Sequence, residues 1–388
     1  MPDIYFDNSA TTKVSEEAAQ AAYAVMRENY GNPSSLHGKG LAALQLLSSA
    51  RQTLARALNA AEREIVFTSG GSEANNMAIL GAAEINARRG GRILLSAAEH
   101  PSLLEPAKYL AAKGFDVQYI PVDAHGLVDL NVLENLLDPD IIFVGAHQVN
   151  NETGAVQVLT EIGALLRKKA PRAHYHIDGV QGLGKLPVML KSWQADSFAI
   201  SGHKIHAPKG IGALWLKEGR RLPPLIRGGG QEGDLRSGTE NMPGIAALAV
   251  AVEAAVSRRA DAAARMLNIK LTLANELLAI EDTTLNGPPP EIAAPHILNI
   301  SFLGVKSEVL LHYLEREGVY VSAGSACSAR KTAASHVLLA MGLTRERLDS
   351  AIRFSFSALN APDEIEPAAR AVRQAVTEIR ALNKGRRG

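Results

Sequence analysis

The chain has 388 residues, long enough at roughly 150 residues per domain for two or three domains around a large core. Lys and Arg number 41 against 40 Asp and Glu, a formal charge of +1, with 46% hydrophobic and 21% charged residues. That balance excludes a disordered chain and supplies no electrostatic reason to expect a nucleic acid or an acidic membrane as partner; the one cysteine, Cys327, excludes an intrachain disulfide or a Cys-cluster zinc site and fits a reducing cytosol.

At the start of the chain, Asp3 and Asp7 stand where a secretory signal would be basic, and no long apolar stretch follows. The most apolar later segment, 244–256, is interrupted by Glu253 and is too short to span a bilayer. The expectation is a soluble, cytoplasmic protein.

From residue 64 onward, strand-length apolar runs alternate with stretches of helical spacing. Strands are expected at 64–68, 92–96, 117–122, 141–146, 174–177, 197–201 and 212–216, and helices at 72–87, 103–113 and 159–169. This rhythm predicts an α/β fold with a mostly parallel seven-stranded sheet covered by helices on both faces. After Gly244 an Ala-rich helical stretch runs to about Ile280 and stops before the turn signal Asn286-Gly287-Pro288. A strand at 297–302, a helix at 307–317, a short strand at 318–322, a strand at 351–356 and an amphipathic helix from Asp363 to about Leu382 then predict a smaller α+β module. The expected division is an N-terminal segment 1–15 packed on the domains, a large domain 16–255 and a small C-terminal domain 256–388.

Ligands of open parallel sheets bind beyond the carboxyl ends of the strands, and four such junctions carry reactive or Gly-rich residues. Thr68-Ser69-Gly70-Gly71-Ser72 leads from a strand through a glycine turn into a helix, a suitable phosphate cradle or an ordinary capped helix. His174, His176 and Asp178 share one face of a strand; they could bind a metal, or Asp178 could neutralise a cationic ring nitrogen, or the histidines could simply be satisfied in the core. Ser201-Gly202-His203-Lys204 fits the S-x-x-K pattern of serine acyl enzymes without its companion motifs; a lysine hemmed by Gly and His suits a Schiff base equally. Cys327 lies among Gly, Ser and Ala, with Arg330 and Lys331 close by in sequence to favour a thiolate; the plainer alternative is a buried, inert thiol. Gly228 to Gly233 fits G-x-G-x-x-G, but neither a clear strand precedes it nor a helix follows, so a dinucleotide site is not expected.

Together these segments resemble the cysteine desulfurase family, pyridoxal-phosphate enzymes of fold type I. The likeness runs through YFDNSATT at 5–12, YGNPSSLH at 30–37, 69–76, Glu99-His100, VNNETG at 149–154, 178–181, 201–210, RSGT at 236–239, 325–327 and IRFS at 352–355. It implies that Lys204 carries the cofactor and shuttles protons, that Asp178 holds the pyridine nitrogen protonated, that Gln181 and Asn151 bond the ring oxygen, and that His100 stacks on the ring. Gly71, Ser72, Ser201 and His203 would hold the phosphate, with Thr239 reaching it from a neighbouring subunit, which requires a homodimer. Arg353, with Asn151, would bind the substrate carboxylate, and Cys327 would take the sulfur of L-cysteine as a persulfide for delivery to a protein acceptor such as an iron–sulfur scaffold or sulfur carrier. Two departures stand out: Ser72 where threonine is commoner, and Ser357-Ala358 where Gly-Arg is usual. The competing readings are a selenocysteine lyase, an aminotransferase with a structural cysteine, and a catalytically silent sulfur-relay subunit.

Overall fold

Branched and aromatic runs form the strands, as their side chains fit a pleated surface buried on both faces. In the computed structural model, which describes residues 3–87, 91–323 and 334–385, the chain opens with a two-residue strand, β1 (Ile4–Tyr5). Seven further strands build the main sheet: β2 (Ile65–Thr68), β3 (Arg92–Ser96), β4 (Asp116–Ile120), β5 (Ile141–His147), β6 (His174–Asp178), β7 (Ser197–Ser201) and β8 (Gly212–Leu216). Their order is β2-β8-β7-β6-β5-β3-β4. All are parallel except β8, which is antiparallel to both neighbours. The short connection 202–211 explains the exception: parallel strands need a crossover of about a dozen residues or more, so so short a link returns the chain antiparallel.

The helix Gly71–Asn86 packs across β5, β6, β7 and β8 on one face. On the other side, the helices Glu16–Arg27 and Gly38–Leu58 pack against Met242–Ser257. The sequence reading assigned no element to 16–58. Ser15 and His37 nonetheless cap these two helices, accepting from the Ala18 and Gly40 N–H groups.

The single helix expected from Gly244 to Ile280 is two helices, Met242–Ser257 and Arg259–Leu278, which meet at Arg258, where φ −98° and ψ 8° leave the helical region. The break has a packing cause. The first helix buries Leu248 and Val252 in a core shared with Leu54, Tyr175, Phe198 and Trp215, whereas the second buries Ile269 and Leu273 in another with Phe302, Leu310, Phe354 and Val372.

That second core lies against β9 (Thr283–Leu285), β10 (Ile297–Phe302), β11 (Val319–Tyr320), β12 (Ser322–Ala323) and β13 (Ala351–Ser355). Four of these form an antiparallel sheet, β12-β13-β10-β9, while β11 pairs in parallel with β1. The strand expected at 318–322 therefore splits around Val321 between two partners. The amphipathic helix closing the chain is Ile365–Gly385.

Residues 3–15 bridge the two halves. Phe6 is fully buried in the second core and its carbonyl accepts the Ser355 N–H, while the Thr12 N–H and hydroxyl both donate to the His203 carbonyl of the main sheet's loop.

Candidate active site

With β2, β3, β5, β6 and β7 parallel, their carboxyl ends lie along one edge of the sheet, and the expected site residues Gly71, Ser72, His100, Asn151, Asp178, Gln181, Ser201, His203 and Lys204 lie at or just beyond those ends, whereas Arg353 and Thr239 do not. Asp178 is the last residue of β6, Ser201 the last of β7, and Lys204 closes the 3-10 turn Gly202–Lys204 immediately after it. His100 caps the helix Pro101–Ala112 beyond β3. Asn151 lies beyond β5, and Gly71 begins the helix beyond β2.

The N-terminal segment closes this edge. Lys204 Nζ donates to the Ser9 carbonyl at 2.6 Å and the Ala10 carbonyl at 2.7 Å, and Gln181 Nε2 donates to the same Ser9 carbonyl at 3.0 Å. The strand-end lysine and the strand-end amide, 23 positions apart in sequence, thus converge on one oxygen. Behind them, Lys185 Nζ donates to the Lys204 backbone carbonyl at 2.9 Å, and burial together with the Lys204 cation lowers Lys185 to about 7. Burial, reinforced by Lys204, Lys209 and Lys185, also lowers His203 to about 4, so the ring beside Thr11 is neutral at pH 7.

Asp178 is buried, and each carboxylate oxygen receives one donor: Oδ1 from the Val180 N–H at 3.0 Å and Oδ2 from Asn75 Nδ2 at 2.7 Å. Both histidines of the same strand are engaged. His176 bonds Ser197 Oγ through Nδ1 (2.7 Å) and Asn75 Oδ1 through Nε2 (2.8 Å), while His174 Nε2 bonds Ser197 Oγ at 2.7 Å. Both His176 nitrogens are occupied by protein, and among the described residues no group of three or more His, Cys, Asp or Glu is arranged to hold a metal. The reading of this strand as a metal site therefore has no geometric support. Burial holds His100 below its ordinary value, Lys204 adding to the shift and Asp178 opposing it; its Nδ1 bonds Ser102 Oγ at 2.7 Å.

On the far side, Arg353 of β13 is buried. Nη1 donates to the Asn151 carbonyl at 3.0 Å and Nη2 to Asp7 Oδ1 at 2.8 Å, but Nε, equally buried, has no partner among the described residues. Ser9 Oγ and His296 Nδ1 are likewise buried without partners among those residues. Unpartnered buried polar atoms are costly inside a folded chain, and these belong to Arg353 itself and to two direct neighbours of the site: Ser9, whose carbonyl accepts from Lys204 and Gln181, and His296, whose Nε2 bonds Gln181 Oε1 at 3.3 Å.

At the third corner, the helix Gly71–Asn86 starts at Gly70, whose missing side chain leaves the first-turn N–H groups without a side-chain cap. A Cβ on Gly71 would come within 2.5 Å of Val180 Cγ2 and 3.3 Å of Ser201 Cβ, so the close seat of this helix end on β7 requires glycine. Ser72 is exposed here, Ser201 is buried, and Thr239 is exposed on the rim of a cleft of about 220 Å³ that it lines with Thr68, Ser69 and Arg236. Cys327 lies outside the described residues.

Sequence reasoning missed Asp7, Ser9, Asn75, Ser102 and Lys185. Asp7, Ser9 and Asn75 sit inside segments that carried the family likeness, which was a usable signal. Ser102 and Lys185 had none, because a hydroxyl after a helix start and a lysine in a loop are solvated in most chains. The G-x-G-x-x-G segment is structural: Glu232 pairs with Arg51 and accepts the Phe67 N–H.

A mostly parallel seven-stranded sheet with lysine and aspartate at adjacent strand ends, joined to a small antiparallel module, defines a fold type I architecture. Residues 4–367 match the class-V aminotransferase family. "Cysteine desulfurase IscS 1" of Archaeoglobus fulgidus is 38% identical over 362 residues, 93% of this chain and 94% of that protein. Among solved structures, a NifS-like protein superposes with a TM-score of 0.92 at 36% identity, covering 97% of this chain and 100% of its own. Another, SspA in complex with cysteine, superposes with a TM-score of 0.80 at 32% identity, covering 92% of this chain and 100% of its own. The chain belongs to the cysteine desulfurase family of class-V aminotransferases.

Proposed function

We propose that this chain is a pyridoxal-phosphate-dependent cysteine desulfurase that converts L-cysteine to L-alanine and holds the released sulfur on Cys327 as a persulfide. The observation that carries the reading is the convergence of Lys204 and Gln181 on the Ser9 carbonyl, alongside a buried Asp178 and the orphaned Arg353 Nε. The donor set fits the cofactor: a carboxylate for a pyridinium, an amine for an aldehyde, and free N–H groups at a helix start for a phosphate. When bound, pyridoxal phosphate supplies an electron sink conjugated to the substrate's α-carbon.

The protein's own groups do the rest. Asp178 keeps the ring nitrogen protonated, Lys204 holds the cofactor and moves protons at the substrate carbons, and Gln181 and Asn151 orient the ring oxygen. His100 would stack on the ring and help move protons. Gly71, Ser72, Ser201 and His203 hold the phosphate, with Thr239 of a second copy. Arg353 takes the substrate carboxylate through Nε–H, its one guanidinium nitrogen with no partner among the described residues. The Cys327 thiolate attacks the substrate sulfur: an S–S bond forms, the Cβ–S bond breaks with its electron pair left on carbon, and a proton delivered to Cβ completes L-alanine.

The working unit is a homodimer in the cytoplasm. Exposed Thr239 and the exposed apolar side chains of Tyr30, Leu36, Leu41 and Leu44 support a second copy as cover. Among the described residues, no helix is long and apolar enough to cross a membrane. The sulfur passes to a protein acceptor, an iron–sulfur scaffold or a sulfur carrier.

Incubation with L-cysteine followed by mass spectrometry tests this reading. One added sulfur on Cys327 with stoichiometric alanine is expected. Keto acid formation with an unmodified, dispensable Cys327 would establish the aminotransferase instead, and turnover of selenocysteine with none of cysteine would establish the lyase.

A further inference from the structure

Asn75 is 1% exposed and lies one turn into the helix that begins at Gly71. Its amide makes three side-chain contacts: Nδ2 to Asp178 Oδ2 (2.7 Å), Nδ2 to Ser102 Oγ (2.8 Å) and Oδ1 to His176 Nε2 (2.8 Å). The direction of every bond follows from the carboxylate. An ionised Asp178 only accepts, so the amide must turn Nδ2 toward it, and Oδ1 is left facing His176.

His176 must then donate from Nε2 and accept at Nδ1 from the Ser197 hydroxyl. That hydroxyl has one hydrogen, so His174 Nε2 must donate to Ser197 Oγ. On the other branch, Ser102 Oγ accepts from Asn75 and gives its hydrogen to His100 Nδ1, which also receives the Ser102 N–H at 3.1 Å. His100 therefore carries its proton on Nε2. Burial drives His176 well below its ordinary value, which agrees with a neutral ring in this chain.

We propose that Asn75, its amide locked by His176, is a positioning residue that aims and supports the charged Asp178 carboxylate and ties the Ser102–His100 pair to it. The inference rests on the cofactor reading above. Among the described residues Val180 N–H is the other donor to this carboxylate, so Asn75 supplies half of the hydrogen-bond support that those residues give it.

The test is the affinity of the apoprotein for pyridoxal phosphate, read by absorbance titration, with thermal melting of each apoprotein as the folding control. Asn75→Leu should weaken binding about tenfold to hundredfold, the range expected for a lost bond to a charged acceptor. Asn75→Asp, nearer in shape to asparagine, should weaken it further, because a second carboxylate would face Asp178. Binding by Asn75→Asp as tight as or tighter than Asn75→Leu would mean that only packing matters and would overturn the assignment. If the Asn75 variants do not fold, His176 decides: His176→Gln, whose amide can still donate to Asn75 Oδ1, should bind within about twofold of the unmodified protein, and His176→Leu severalfold more weakly. Equal affinity of those two would overturn it as well. Failure of the unmodified protein to take up pyridoxal phosphate would instead sink the cofactor reading and this assignment with it.

Discussion

Arg353 and Asp7 form an ion pair at 2.8 Å in which the arginine side chain is 7% exposed and the aspartate 21%. The pairing is set by the backbone, because Asp7 bridges to Ser355, two residues along the strand that carries Arg353. Asp7 thus engages one terminal nitrogen of the guanidinium and the Asn151 carbonyl the other, and Nε–H has no partner among the described residues, which is what the proposed carboxylate site requires.

Replacing the fork removes that geometry. Arg353→Lys should raise KM for L-cysteine at least about tenfold with a smaller change in kcat, since lysine offers a point charge where the site uses directed donors. Asp7→Asn, which keeps an acceptor but removes the competing charge, should lower KM. Steady-state kinetics that show unchanged KM in both variants would remove Arg353 from substrate binding.

Two lysines compete for the cofactor on chemical grounds. Lys185, lowered to about 7, is largely available as a neutral amine near neutrality, yet its Nζ is buried and tied to the Lys204 carbonyl. Borohydride reduction of the protein with pyridoxal phosphate, followed by peptide mass mapping, should place the label on Lys204 alone. A label on Lys185 would show that amine basicity, and not placement at the strand end, selects the attachment site.

The buried histidines make the fold acid-sensitive. Burial lowers His174 to about 4 from an ordinary 6.5, with Asp196 opposing the shift. Between those values the unfolded chain binds a proton that the folded one does not, so stability falls as pH drops through that window. The loss from this residue amounts to about 3 kcal/mol at pH 4. Urea unfolding of His174→Gln, whose amide can still reach Ser197, should show a correspondingly flatter dependence from pH 6.5 down to 4; an unchanged slope would place the acid sensitivity elsewhere.

Glu232 makes a bidentate contact with Arg51, both bonds 2.8 Å, and accepts the Phe67 N–H at 2.8 Å. Glu232→Ala would strand a buried strand-edge N–H and a mostly buried guanidinium together. A loss of about 3 kcal/mol in urea unfolding is expected. A loss below about 1 kcal/mol would mean that water replaces the carboxylate there.

Much of the strand framework was legible from apolar runs, and β3, β7, β8 and β10 begin and end where composition placed them. The helix Gly38–Leu58 was not, because glycines at 38 and 40 and the exposed Leu41 and Leu44 blur its stripe. The break at Arg258 was equally hidden: both flanking segments are good helix formers, and what separates them is which core each one faces.

Residue type and position after a strand were enough to bring Lys204 and Asp178 forward as candidates, because an amine and a carboxylate at the carboxyl ends of a parallel sheet suit a bound cofactor. Gln181, His100 and Arg353 came only from the joint order of motifs, which resembles one family. The tertiary structure alone decided which partners orient them: the Ser9 carbonyl under Lys204 and Gln181, Asp7 on Arg353, and Asn75 between Asp178 and His176. Hydrogen bonds and ion pairs between residues 101 to 346 positions apart depend on how the sheet, helix and N-terminal segment pack together, and no local pattern in the chain encodes that distance.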